Sequence, residues 1–223
     1  MTFAAAYEDQ PRVWGVGRVV SADGVTSWPV SQHDIDDEAA ALAPRLAALG
    51  LGDGGLILIV SLLSQAIHVV PLEQAAGLVG ARYSSADATP FDAFRTVSLV
   101  RQLRPSVVLG IDRRVCDGIE ELGRDLGKVF AGVGAVVAAD HDAARRLGSA
   151  GIDAGHWVRL GPTSVIAGPD DEGFTYDPNR WLIEERHGEL VITNVAARLT
   201  PCDRLATGWR GQVLEPGRVR IDA

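Results

Sequence analysis

Residues 50–60 read GLGDGGLILIV. The first six stop a helix and turn the chain, because glycine reaches left-handed backbone at no steric cost. The next five, Leu56 to Val60, are apolar without a break. A strand with one wet face alternates apolar and polar residues. An unbroken run of this length reads instead as a strand buried on both faces. Such a strand needs helices above and below it, and that is the layout of a parallel α/β sheet.

The flanking sequence agrees. Residues 31–49 predict a helix, with Ser31 as N-cap, Asp34 at the capping-box position, and Ile35, Leu42, Leu46 and Leu49 on one face. Pro44 lies inside this pattern and predicts a kink or early break. Residues 71–80 read as a helix and 81–84 as a short strand. Thr89 and Pro90 form an N-cap and N1 pair, opening a helix that runs to about Leu103 and stops at Pro105. Residues 106–111 (SVVLGI) predict a second buried strand, 112–122 a helix, 128–131 a third strand, 140–147 a helix and 158–160 a fourth short strand. Beyond Gly168 the pattern changes. Residues 181–185, 189–194, 212–214 and 218–221 are strand candidates joined by tight links. The expected fold is α/β: a layered, mostly parallel sheet with flanking helices, residues 1–168, plus a small antiparallel β subdomain at the C-terminus, residues 169–223.

Composition narrows the function. Of 223 residues, 47% are hydrophobic and 22% charged, a globular balance rather than a disordered one. The longest apolar stretch, GLILIVSLL at 55–63, is too short to span a bilayer, and residues 1–10 lack the basic start and apolar core of a secretory signal. A cytoplasmic protein is expected. A net charge of −8 argues against a general nucleic-acid binder. Two cysteines are too few for a disulfide scaffold or zinc knuckle. Lys128 is the single lysine, so chemistry that needs two lysines at separate sites is excluded.

Four segments, in order, carry a resemblance. Residues 46–59 (LAALGLGDGGLILI) are similar to the helix, "LGVGPGD" turn and strand of the adenylate-forming ligases, especially the phenylacetate–CoA ligase branch of the acyl-CoA synthetase superfamily. Residues 97–110 (VSLVRQLRPSVVLG) resemble "I..LRPTVLVG", residues 159–164 (RLGPTS) resemble "YGxTE", and residues 188–208 (GELVITNVAARLTPCDRLATG) resemble "GELVxTxLxxxxxPLIRYxTGD". Together these cover about residues 31–214.

The resemblance implies a carboxylate activated by ATP to an acyl-adenylate, often passed on to a thiol. That chemistry needs a Gly/Ser/Thr-rich loop with a lysine to hold phosphates, a glutamate for Mg²⁺, an aspartate for the ribose, and a lysine on a C-terminal lid. This sequence departs from all four. Where "TSGTTGxPK" is expected, residues 20–30 read VSADGVTSWPV; Ser21, Gly24, Thr26 and Pro29 match and the lysine does not. Ser164 stands where the glutamate would be, and Trp209, after Thr207 and Gly208, where the aspartate would be. The sequence ends at Ala223, before the lid that the resemblance implies. One lost charge-stabilising contact typically costs about 10²–10³ in rate.

The sequence therefore predicts a truncated, degenerate relative that has lost ATP-dependent ligation and binds an acyl or aryl ligand or a protein partner. Loss of covering segments predicts exposed apolar surface, hence a homodimer or heteromer. The expected ligand pocket, by resemblance, comprises Ser64, His68, Gly132, Gly134, Gly161, Thr163 and Ser164, and the degenerate nucleotide site Ser21, Gly24, Thr26, Thr207 and Trp209. The alternative is an ATP-independent enzyme using that pocket for acyl transfer, cyclisation, condensation or thioester hydrolysis, with His68, His156 or Cys202 as base or nucleophile. A residual acyl-CoA ligase comes third. No cofactor and no metal is expected. The acids of residues 33–38 (HDIDDE) are explained by a helix start. Trp14, Trp28, Trp157 and Trp181 are core candidates.

Overall fold

The computed structural model describes residues 12–21 and 24–222. A hairpin comes first, β1 (Val13–Ser21) and β2 (Gly24–Ser31), paired from Val13 opposite Ser31 to Ser21 opposite Gly24. Helix α1 (Gln32–Ala48) follows at once. Its capping box is formed in both directions: Ser31 Oγ accepts from Asp34 N at 3.1 Å, and Asp34 Oδ2 accepts from Ser31 N at 2.8 Å. The helix runs through Pro44 without the expected break. Leu42 and Leu46, one turn apart on the buried face, hold both sides of the proline in the core.

The main sheet has six strands: β3 (Leu56–Ser61), β4 (Arg82–Asp87), β5 (Val107–Ile111), β6 (Ala135–Ala138), β7 (Gly155–Leu160) and β8 (Thr163–Ala167), in the order β4-β3-β5-β6-β7-β8. All neighbours are parallel except β7 and β8. Helix α2 (Ala66–Leu78) starts five residues before the expected position and contains Pro71. It packs with α1 on one face, over Ile57, Ile59, Leu109 and Trp157. Helices α3 (Ala93–Leu103), α4 (Arg113–Glu121), α5 (Leu126–Val129) and α6 (His141–Ser149) supply residues to the core on the other face, over Leu58, Val60, Val108 and Ile111. Both cores contain strand residues from β3 and β5, which is why those strands read as unbroken apolar runs.

The third strand is misplaced by the sequence reading. Residues 126–129 form the turn α5, because Asp125 caps it: its Oδ1 accepts from Lys128 N at 2.9 Å. The strand begins seven residues later than expected, at Ala135, after Gly132 turns the chain at φ 84°. The hairpin β1–β2 and the strand β8 were not expected as strands.

The tail is an antiparallel sheet of β9 (Phe174–Thr175), β10 (Trp181–Arg186), β11 (Glu189–Asn194), β12 (Leu205–Glu215) and β13 (Arg218–Ile221), in the order β10-β11-β12-β13-β9. His187 and Gly188, at φ 54° and 79°, make the turn between β10 and β11. Val158, Leu160, Val165 and Ala167 of the main sheet share one core with Trp181, Ile183, Leu190, Ile192 and Val219 of this tail sheet. Trp28, Trp157 and Trp181 are buried as expected; Trp14 is not, since it lies on the solvent side of β1.

Candidate functional site

In a parallel α/β sheet the loops at the carboxyl ends of the strands are where ligands usually sit. Here that edge carries residues 62–68 after β3, Asp112 after β5, Asp140 after β6, and Arg159 to Pro162 at the end of β7. His68, in the first turn of α2, is buried, and its Nδ1 has no hydrogen-bond partner among the described residues. Burial first, and the charge of Arg159 second, lower its pKa to about 3, so the ring is neutral at ordinary pH. Arg159 lies with its Cζ 5.0 Å from the centroid of the Trp157 ring. Burial lowers the pKa of Arg159, opposed by the carboxylates of Asp112 and Asp140. Both of those carboxylates are occupied. Asp112 Oδ1 caps α4 through Val115 N at 3.0 Å, and Asp112 Oδ2 pairs with Arg114 at 2.5 Å. Asp140 Oδ1 caps α6 through Ala143 N at 2.8 Å, and Asp140 Oδ2 accepts from Arg113 N at 2.8 Å.

The expected ligand pocket does not come together. Ser64 and His68 follow the carboxyl end of β3. Gly132 and Gly134 precede β6 and so lie at the opposite, amino edge of the sheet; a Cβ on Gly134 would meet Ser106 O at 2.8 Å, just ahead of β5. The strand expected at 128–131 would have set these glycines after it, and the late start of β6 reverses that. Gly161 packs under Leu205, Ile192 and Val19. Thr163 and Ser164 line a third place, a cavity of about 250 Å³ between α1 and the tail sheet, with Glu38, Tyr176, Arg180 and Trp181.

The three candidate reactive groups are also poorly suited to acid–base or nucleophilic work. Cys202 donates weakly to Ile192 O at 3.7 Å, and burial pushes its thiol pKa up, away from the thiolate a nucleophile needs. His156 stacks on His141 with ring centroids 6.1 Å apart, and burial followed by the neighbouring imidazole lowers its pKa. His68 is neutral, and its Nδ1 has no partner among the described residues to take or relay a proton.

The positions where nucleotide groups are expected are built for other ends. Ser21 and Gly24 are paired across the hairpin, so only two residues connect them, against the longer loop that cradles a triphosphate. Thr26 is an exposed residue of β2 opposite Val19. Ser164 is buried in β8. Thr207 Oγ1 donates to Leu190 O at 2.7 Å, inside the tail sheet. Trp209 Nε1 donates to Arg159 O at 2.9 Å, so the indole bridges β12 to the carboxyl end of β7. Lys128 sits in α5, at the amino edge of the sheet.

One constellation was missed by the sequence reading. Glu38, on the second turn of α1, is buried. Its Oε2 accepts from Thr163 Oγ1 at 2.5 Å and its Oε1 from Trp181 Nε1 at 3.0 Å and from Arg198, which forms a buried ion pair with it. The Arg198 guanidinium lies over the Trp181 ring, Cζ 4.2 Å from its centroid. The segment carrying Arg198 is fastened beside it, since Thr200 Oγ1 donates to Pro29 O at 2.6 Å. The only sequence signal was spacing: Asp34 and Glu38 are one turn apart, facing the same way as Ile35 and Leu42.

No protein-family model matches the chain, and no curated protein matches it. Solved structures do. A 2-hydroxyisobutyryl-CoA ligase in an open conformation, in complex with 2-HIB-AMP and CoA, is similar over 94% of this chain and 56% of its own, with a TM-score of 0.70 at 15% identity. The anthranilate CoA ligase AuaEII in complex with anthranoyl-AMP is similar over 95% of this chain and 47% of its own, with a TM-score of 0.66 at 13% identity. The Klebsiella oxytoca NpsA N-terminal subdomain in complex with 3-hydroxyanthranilyl-AMSN is similar over 93% and 61%, with a TM-score of 0.61 at 14% identity. The chain thus has the fold of the N-terminal domain of adenylate-forming ligases and spans about half the length of the structures it matches. Among the described residues no helix is long and apolar enough to cross a membrane.

Proposed function

We propose that this chain, built on the fold of a carboxylate-activating ligase, does not activate carboxylates with ATP and acts instead as a binding protein. The observation that carries the reading is Trp209. The resemblance sets a ribose-holding aspartate at this position; the indole found here spends its one donor on Arg159 O and fills the junction of the two sheets. Three further features support it. Ser21 and Gly24 are paired with each other across a hairpin, the residue at the Mg²⁺ position is the buried Ser164, and the single lysine stands at the far edge of the sheet. The partner we assign is a second copy of this chain, paired along the open edge of β4.

Pyrophosphate exchange in the presence of Mg·ATP, run over a panel of aliphatic and aromatic carboxylic acids, tests the reading. No exchange above the protein-free rate is expected, and neither Mg·ATP nor AMP should shift the melting temperature. Exchange with any acid of the panel would restore the ligase reading. The alternative of an ATP-independent acyl enzyme is less supported, because among the described residues His68, His156 and Cys202 each lack a partner that would activate them.

A further inference from the structure

The largest of the cavities described lies far from the carboxyl edge. It measures about 890 Å³ and opens between α3 and the α4–α5 connection. That is within the range of small-molecule sites, about 300–1,000 Å³. Its walls have two characters. Phe94, Val97, Val100, Leu122, Val129 and Val133 give an apolar surface, of which Phe94 and Leu122 are exposed to solvent at 67% and 44%. Arg101, Arg104, Arg124 and Lys128 give four cations, and the only carboxylate of the lining is Asp125. Asp125 is already engaged as the cap of α5.

None of the four cations forms an ion pair or a side-chain hydrogen bond among the described residues. Elsewhere Arg114, Arg146, Arg180, Arg198 and Arg218 all find carboxylates within 4.0 Å. In a chain of net charge −8, four unpaired cations around one apolar hollow are a local reversal of sign. The arrangement along α3 is ordered as well. Phe94, Val97 and Arg101 follow one another at spacings of three and four residues, so they form one stripe that runs from apolar to cationic over about 10 Å of helix, and Arg104, the left-handed C-cap of α3 at φ 47°, adds a second cation just past its end. Gly132, which the sequence reading assigned to a ligand pocket, lines this hollow.

We infer that this cavity binds an amphipathic organic anion, a small molecule with a hydrocarbon or aryl body and a phosphate or carboxylate head. The body lies against Phe94, Val97 and Leu122, and the head lies among Arg101, Arg104, Arg124 and Lys128. The inference rests on this cavity alone and stands whether or not the chain has lost nucleotide chemistry.

Octyl phosphate is a suitable probe, measured by calorimetric titration against octanol, inorganic phosphate and phosphatidate vesicles. Octyl phosphate is expected to bind well above either half-molecule, and to weaken as ionic strength rises. The triple variant Arg101→Gln/Arg124→Gln/Lys128→Gln should weaken binding by about 3-fold to 100-fold, the range expected when three exposed ion pairs are removed. Arg95→Gln, on the same helix but outside the cavity lining, should leave the affinity unchanged. All these positions are at the surface, so circular dichroism should show the wild-type fold in every variant. Binding of octanol as tight as that of octyl phosphate, or equal affinity in the triple variant and wild type, would overturn the inference. So would binding to phosphatidate vesicles with none to monomeric octyl phosphate, which would make the patch a membrane-facing surface.

Discussion

At the scale of single residues, Glu38 and His68 show two ways a polar group can be buried. Glu38 is matched on both oxygens by Thr163, Trp181 and Arg198. A buried pair of this kind adds little net stability when intact, but removing one partner strands the other charge at a cost of about 3–5 kcal/mol. Glu38→Ala is therefore expected to lower the unfolding free energy by about that amount. The double variant Glu38→Ala/Arg198→Met should recover a large part, as read by urea denaturation; an additive loss would show that the two side chains are not coupled. His68 is unmatched, so its burial acts through pH. Its folded-state pKa, about 3, lies below the ordinary 6.5, so the unfolded chain binds a proton that the folded chain refuses. The contribution of neutral His68 is complete above pH 6.5 and is lost as pH falls from 6.5 towards 3, at most about 1.4 kcal/mol per pH unit. His68→Leu should flatten that part of the stability–pH curve; an unchanged slope would mean that the imidazole is not buried in solution. The capping box at Ser31 and Asp34 was legible because it joins residues three apart. The Glu38–Arg198 pair was not, because 160 positions separate its members.

At the scale of elements, legibility followed the range of the forces. Strands β3 and β5 could be read because burial on both faces leaves a mark on every residue. Segment 128–131 could not, since its apolar pattern is shared by a strand and a capped turn, and the cap at Asp125 decided the outcome. Pro44 warns of a break in α1 and Pro71 reads as the first residue of a helix that in fact starts at Ala66; tertiary packing carries both helices through, as Leu42, Leu46 and Leu72 are wholly or almost wholly buried. Gly110 is the clearest element-scale constraint. It lies at an irregularity in β5, between Leu109 and Ile111, at φ 99°, and a Cβ there would stand 2.1 Å from Val60 O. The neighbour is backbone of the central strand and cannot rotate away. Gly110→Ala combines left-handed strain with overpacking, each about 1–3 kcal/mol, so a loss of roughly 2–6 kcal/mol is expected in denaturant unfolding. A loss below about 1 kcal/mol would show that β3 and β5 are less closely joined than described.

At the scale of the whole molecule, the sheet ends on one side at β4, and the hydrogen bonds there determine what can pair with it. Arg82 N donates to Gly55 O and Ala88 N to Ser61 O, so the even-numbered residues of β4 face β3 and Tyr83, Ser85 and Asp87 face outward. Asp87 is already closed off: its N–H donates to Asp92 Oδ2 at 2.8 Å and its carbonyl accepts from Thr89 N at 2.8 Å. Among the described residues, Tyr83 and Ser85 are left with both groups free to an incoming strand. A two-fold axis normal to the sheet keeps side chains on their own face, so residues that meet across it must have the same parity. The register that uses all the free groups sets Tyr83 opposite Ser85 of the partner subunit, with Ser84 facing its own copy on the axis. Closed two-fold symmetry also covers both edges at once, which a single protein otherwise protects by charge or bulges. The expected native mass is thus twice that of the monomer. Ser84→Lys brings two ammonium groups together on the axis and leaves the bonds to β3 untouched; it should give a folded monomer by light scattering, with a far-ultraviolet spectrum unchanged. A wild-type monomer at high micromolar concentration, or a Ser84→Lys dimer, would assign the open edge of β4 to something other than a second copy.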